Sequence, residues 1–220
     1  MELMALKVDG RLSAELIRPD GARALLVLAH GAGADFRHAN MLNISEALAR
    51  QNIASLRFNF PFMEQGRGRV DAQAVSIATI VEALATAREA APDLTLYLGG
   101  HSYGGRMATH AVVEHELPVV GLVCCSFPLH PPKKPGVERA AHLDQIRQPM
   151  LFLSGTRDGL AEPELLTGMV ERLGDRACLH WLDTADHGYK VLKRKRDAGL
   201  DVFDEMAGVT AAFMTQVGPA

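Results

Sequence analysis

The residues best suited to chemistry are Gly100-His101-Ser102-Tyr103-Gly104, flanked by Gly99 and Gly105. They follow a short apolar run, Leu94 to Leu98, and precede a helical pattern over Ser102 to Glu116. A serine between glycines at this junction reads as a G-x-S-x-G nucleophile elbow. The glycines let strand and helix pass closely, and the helix start offers free N–H groups to developing negative charge. The competing reading is a simple N-cap serine.

A serine hydroxyl attacks a carbonyl only when a base takes its proton. The expected chain order is Ser, then Asp or Glu, then His. Asp158 follows the apolar run Met150 to Leu153, and His187 follows Cys178 to Leu182. This gives Ser102 the nucleophile's role, His187 the base's, and Asp158 that of orienting the imidazole. Asp183, Asp186 and Glu162 compete for the acid's place. Among the other histidines, His110 and His115 fall in a helix, His180 in a strand, and His130 and His142 before Asp158 in the chain.

A third loop, Leu28-Ala29-His30-Gly31-Ala32-Gly33, follows the run Leu25 to Ala29. An H-G-x-G loop there supplies one N–H of an oxyanion hole, and the residue after the nucleophile supplies the other. That assigns Ala32 and Tyr103. A dinucleotide G-x-G-x-x-G reading fails because Phe36 stands at the third glycine position.

These loops need a scaffold that brings strand ends together. The pattern supplies a hairpin, Ala5 to Val8 and Leu12 to Ile17, closed at Asp9-Gly10. Further strands are expected at Leu25–Ala29, Ile53–Phe58, Leu94–Leu98, Val119–Cys125, Met150–Leu153 and Cys178–Leu182. Between and after them come helical patterns at Asn40–Gln51, Asp71–Ala90, Ser102–Glu116, Arg139–Ile146, Pro163–Leu173 and Asp201–Val217, the second capped by Asp71. Pro128 to Pro135 is loop. The alternation predicts an α/β fold with a mostly parallel sheet, an antiparallel edge hairpin at the N-terminus and helices on both faces. Ligands then sit at the carboxyl ends of the strands. No repeat or long linker divides the 220 residues, so one domain over 1–220 is expected.

Composition narrows the function classes. Lys and Arg total 23 against 26 Asp and Glu, and aromatics are 5%. Neither figure supports a nucleic-acid surface. Cys124, Cys125 and Cys178 form no disulfide framework and fit a reducing cytoplasm. The two adjacent cysteines end a strand, where a buried structural thiol is the first reading and a reactive one the second. MELMALKVDG has no basic region leading into an apolar stretch, so no signal peptide is expected. Apolar runs such as Ala24–Ala29 are too short to span a bilayer. No metal-ligand spacing occurs, and no cofactor is expected.

Taken together, the elbow, the acid and base loops and the H-G-x-G loop resemble the α/β-hydrolase superfamily over nearly the whole chain. The closer resemblance is to its small, lid-poor branch, near dienelactone hydrolases and the testis-expressed hydrolase-like proteins. It rests also on Leu56-Arg57-Phe58-Asn59-Phe60-Pro61-Phe62, Gly104-Gly105-Arg106-Met107-Ala108, Pro128-Leu129-His130-Pro131-Pro132 and Gly155-Thr156-Arg157-Asp158. Dienelactone hydrolases carry cysteine where this chain has Ser102. The resemblance implies an esterase-like serine hydrolase of small esters or thioesters. The same triad also serves peptidases and acyltransferases, and the fold also serves non-catalytic interaction modules. The short insertion between Ser126 and Met150 implies no large cap and an open site. Arg67, His30 and Phe62 are candidate substrate-binding residues. Arg67 with Arg69, and the run Lys190, Lys193, Arg194, Lys195 and Arg196, could hold an anionic substrate group or could be solvated surface.

Overall fold

A computed structural model of the chain describes residues 1–192 and 199–218. Among these residues eight strands join one sheet in the order β1-β2-β4-β3-β5-β6-β7-β8. They are β1 (Glu2–Val8), β2 (Leu12–Arg18), β3 (Ala24–Ala29), β4 (Ile53–Phe58), β5 (Thr95–His101), β6 (Leu122–Cys125), β7 (Met150–Gly155) and β8 (Ala177–Leu182). The α-helices are α1 (Ala39–Arg50), α2 (Pro61–Glu64), α3 (Gln73–Ala90), α4 (Tyr103–Glu114), α5 (Pro163–Leu173) and α6 (Val202–Val217). The first hairpin pairs antiparallel, as does β2 with β4, and every other pairing is parallel. Asp9 (φ 50°) and Gly10 (φ 66°) are both left-handed at the hairpin turn, as the Asp-Gly dipeptide predicts.

The central strands are buried on both faces, which explains their unbroken apolar runs. Alternate residues of β3 face opposite ways. Leu25 and Val27 join Ile77 and Ile80 of α3, Met107 of α4 and Leu166 of α5. Leu26 and Leu28 join Met41 and Ile44 of α1 and Met206 of α6. Thus α1 and α6 cover one face and the remaining long helices the other. The chain leaves β3 for α1 on the first face and leaves β5 for α4 on the second. The two adjacent strands therefore open a crevice between their carboxyl ends, the usual ligand position in such sheets.

Several boundaries differ from expectation. The helix α2 was not anticipated; Pro61 stands at its first turn, where proline's missing N–H costs nothing. Asp71 does not cap α3, which starts at Gln73 with Ala72 as its cap residue. Its carboxylate instead accepts the Phe62 N–H at 2.9 Å. Strand β6 begins at Leu122 rather than Val119, and Glu138–Gln145 is a 3-10 helix. Between β6 and β7 only that segment and loops occur, so no large cap covers the sheet edge.

Candidate active site

Ser102 lies between β5 and α4 with φ 52° and ψ −115°, a conformation that non-glycine residues rarely adopt. Its N–H is held by the Cys125 carbonyl at 2.8 Å. The turn tolerates no side chain beneath it: a Cβ on Gly104 would lie 2.3 Å from the Ala29 carbonyl oxygen. The residue after Ser102, Tyr103, opens α4, so its backbone N–H is one of the helix's orphan donors. On the other side, Gly31 passes so close that a Cβ there would lie 3.7 Å from the Ser102 Cβ. This brings the His30–Gly33 loop, with its exposed Ala32, against the elbow.

The loops after β7 and β8 reach the same point. His187 Nε2 lies 2.8 Å from Ser102 Oγ. Its Nδ1 lies 2.9 and 2.8 Å from the two oxygens of Asp158. An ionised carboxylate only accepts, so Nδ1 carries the ring proton and Nε2 takes the serine hydroxyl's hydrogen bond. Asp158 is buried and also accepts the Leu160 N–H at 2.8 Å. The competing acids are engaged differently: Asp186 folds its own loop by accepting the N–H groups of Gly188 and Lys190, and Glu162 is the cap residue of α5.

The Alpha/beta hydrolase domain family matches residues 22–215. The chain belongs to the α/β-hydrolase family. Solved structures share the fold at low sequence identity. A dienelactone hydrolase from Anabaena variabilis ATCC 29413 superposes with a TM-score of 0.76 at 18% identity, covering 99% of this chain and 98% of that one. An α/β serine hydrolase without lid from Xanthomonas campestris gives 0.73 at 19% identity, covering 100% and 96%. Est1E from Butyrivibrio proteoclasticus, with ferulic acid bound, gives 0.71 at 15%, covering 97% and 98%.

In this α/β-hydrolase the expected substrate contacts need correction. His30 is fully buried. Its Nδ1–H donates to the Gly31 carbonyl at 2.8 Å, and its Nε2 accepts the Phe60 N–H at 3.0 Å. Burial pushes its pKa down to about 4, so the ring is neutral. His30 therefore pins the loop beside the elbow and presents no surface to a ligand. Phe62 is also fully buried, its ring 5.6 Å from His30's and 6.1 Å from Tyr103's. Arg67 is exposed, but its guanidinium pairs with Asp71 and donates to Gln65 at 2.9 Å, so its charge is already answered. Arg69 and Lys190 are exposed, and Lys193, Arg194, Lys195 and Arg196 lie outside the described residues.

One positioning residue escaped the sequence reading. His101 donates from Nε2 to the His187 carbonyl at 3.1 Å, and its ring lies 5.5 Å from that of His187. Burial lowers its pKa to about 4. Its place beside Ser102 in the elbow was the available signal. Cys125, whose carbonyl holds the Ser102 N–H, is fully buried, and burial pushes its thiol up to about 12. A groove of about 690 Å³ lies elsewhere, between the first hairpin and α1, and is lined by Leu3, Ile17, Leu42 and Arg57. A second, of about 460 Å³, sits by the amino ends of the strands. Neither includes Ser102. Among the described residues no group of three His, Cys, Asp or Glu could hold a metal ion. No helix among them is long and apolar enough to cross a membrane.

Proposed function

We propose that this chain is a serine hydrolase that cleaves small carboxylic esters or thioesters through an acyl-enzyme on Ser102. The observation that carries the reading is the continuous hydrogen-bonded line from Ser102 through His187 to buried Asp158. Ser102 Oγ attacks the carbonyl carbon while its proton passes to His187 Nε2. Asp158 keeps the ring in the required tautomer and stabilises the imidazolium. The N–H groups of Ala32 and Tyr103 receive the oxyanion, each such donor being worth roughly 3 kcal/mol. Protonated His187 then gives its proton to the leaving alcohol or thiol. Water, deprotonated by the same nitrogen, attacks the acyl carbon, and the proton returns to Ser102 Oγ as the acid departs.

The small substrate follows from the uncapped sheet edge. The free cysteines, two of them buried, suit a cytoplasmic setting. The test is labelling by a fluorophosphonate probe, with turnover of p-nitrophenyl esters, thioesters and lactones, in the wild type and in Ser102→Ala. Labelling should vanish in the variant, and turnover should fall by roughly 10⁶. Absence of Ser102-dependent labelling and turnover would favour a non-catalytic interaction module. Turnover confined to amides, or transfer only to an added amine or alcohol, would favour a peptidase or acyltransferase.

A further inference from the structure

The face of α4 that follows Ser102 carries an unanswered positive charge. Arg106 is four residues past Ser102, and its N–H bonds the Ser102 carbonyl at 3.1 Å. One helical turn separates them, about 6 Å along the axis. Helical side chains lean toward the helix N-terminus, so Arg106 leans toward the edge of the sheet that holds Ser102. Its Nε is buried with no hydrogen-bond partner. Arg139, from the 3-10 segment packed on α4, adds a second positive charge beside it. Both side chains are half-buried rather than extended into water. Among the described residues neither guanidinium has an ion pair or hydrogen bond.

The surroundings deepen the imbalance. His110 and His142 stack with ring centroids 3.6 Å apart, and His110 Nε2 is also buried and unpartnered. His142 Nε2 lies 2.8 Å from Thr109 Oγ1, which itself donates to the Arg106 carbonyl. The nearby carboxylates serve other groups. Glu114 acts on His110 and accepts from Gln73. Asp71 is taken by Arg67 and the Phe62 N–H. Two like charges held together with a buried donor unmade are costly. An anion between them removes that cost.

We infer that Arg106 and Arg139 form an anion subsite next to Ser102, and that the preferred substrate is a small ester or thioester bearing a carboxylate. The inference rests on the serine-hydrolase reading for its catalytic half only; the anion subsite stands without it. It replaces Arg67, whose charge Asp71 already answers, as the place where a negative group is held.

The test has two parts. Glutarate is titrated calorimetrically into the wild type, Arg106→Gln and Arg139→Gln. The wild type should bind it, and each variant should weaken binding about tenfold or more, the worth of one charge-assisted hydrogen bond. Turnover is then compared within matched pairs: p-nitrophenyl hemiglutarate with p-nitrophenyl valerate, for charge on the acyl side, and 4-carboxyphenyl butyrate with phenyl butyrate, for charge on the leaving group. The acidic-to-neutral ratio of kcat/KM should fall about tenfold in both variants for one of the pairs. The pair that responds fixes the side on which the carboxylate sits. No glutarate binding by the wild type, or ratios unchanged in both variants, would overturn the inference. Arginine-dependent binding without Ser102-dependent turnover would leave the subsite standing and remove the hydrolase reading. Circular dichroism of each variant identifies a loss caused by misfolding, and Arg139→Lys, which keeps the charge, should then restore most of the binding.

Discussion

The loops after β7 and β8 reach Ser102 and α4 leads away from it, and the two regions pair their polar side chains to different degrees. In the loops the acceptors that surround His187 have their donors. Asp158 takes His187 and the Leu160 N–H, Asp186 takes two backbone N–H groups, and the His187 carbonyl takes His101. On α4, Arg106 Nε and His110 Nε2 are buried with no partner. A satisfied network fixes geometry without help from a ligand, as a proton relay must. An unsatisfied one stores binding free energy for whatever completes it. Under the proposed function, the contrast separates the groups that react from those that select.

The largest effect should come from breaking the satisfied side. Asp158→Asn places an amide donor where His187 Nδ1–H now points, favouring the wrong tautomer, and kcat should fall by about 10⁴. Steady-state kinetics on any ester that the wild type turns over measures it. A fall below tenfold would separate Asp158 from the relay.

Acid should loosen the scaffold behind the relay. His30 and His101 are pushed down to about 4 by burial, against 6.5 for the free side chain. Between those values the unfolded chain binds more protons than the folded one. Stability is therefore full above about pH 6.5, falls as the pH drops toward 4, and levels off below it. Urea midpoints at pH 7, 5.5 and 4 should decrease in that order, and a flat profile would contradict the neutral, buried state of these rings.

His101→Phe keeps the ring but removes the donor to the His187 carbonyl. The base loop should lose its register, lowering kcat roughly tenfold with little change in KM, since about 1 kcal/mol attaches to such a bond. An equal rise in KM would mean that His101 meets the substrate directly. The smallest effect is expected from Arg67→Glu, less than about twofold on the ratio of acidic to neutral ester turnover, because rim charges already paired contribute little. A loss as large as that of the α4 variants would erase the distinction between answered and unanswered arginines.

Which residues meet at the strand ends was legible in the chain; burial and missing partners were not. The elbow could be read because its glycines, its serine and the flanking apolar runs are contiguous. Asp158 and His187 could be read because strand ends converge on one edge of an α/β sheet. The Asp-Gly hairpin was equally local. His30 and Phe62 misled because their type suits a binding site, while in the fold Phe60 and Phe62 pack on the His30 ring, and Phe60 and Tyr103 pack on Phe62. Asp71 looked like a cap because an acid precedes an apolar helix, but Phe62 N–H and Arg67 compete for it across the α2 turn. Arg106 could not be singled out, since what distinguishes it is the partner its neighbourhood lacks.

The backbone of Ser102 has a consequence for stability. At φ 52° the serine occupies ground that glycine holds without strain. Replacing this side chain by glycine would relieve that strain and give up the hydrogen bond to His187 Nε2. The serine at 102 is therefore a cost to folding that only a use for its hydroxyl would offset.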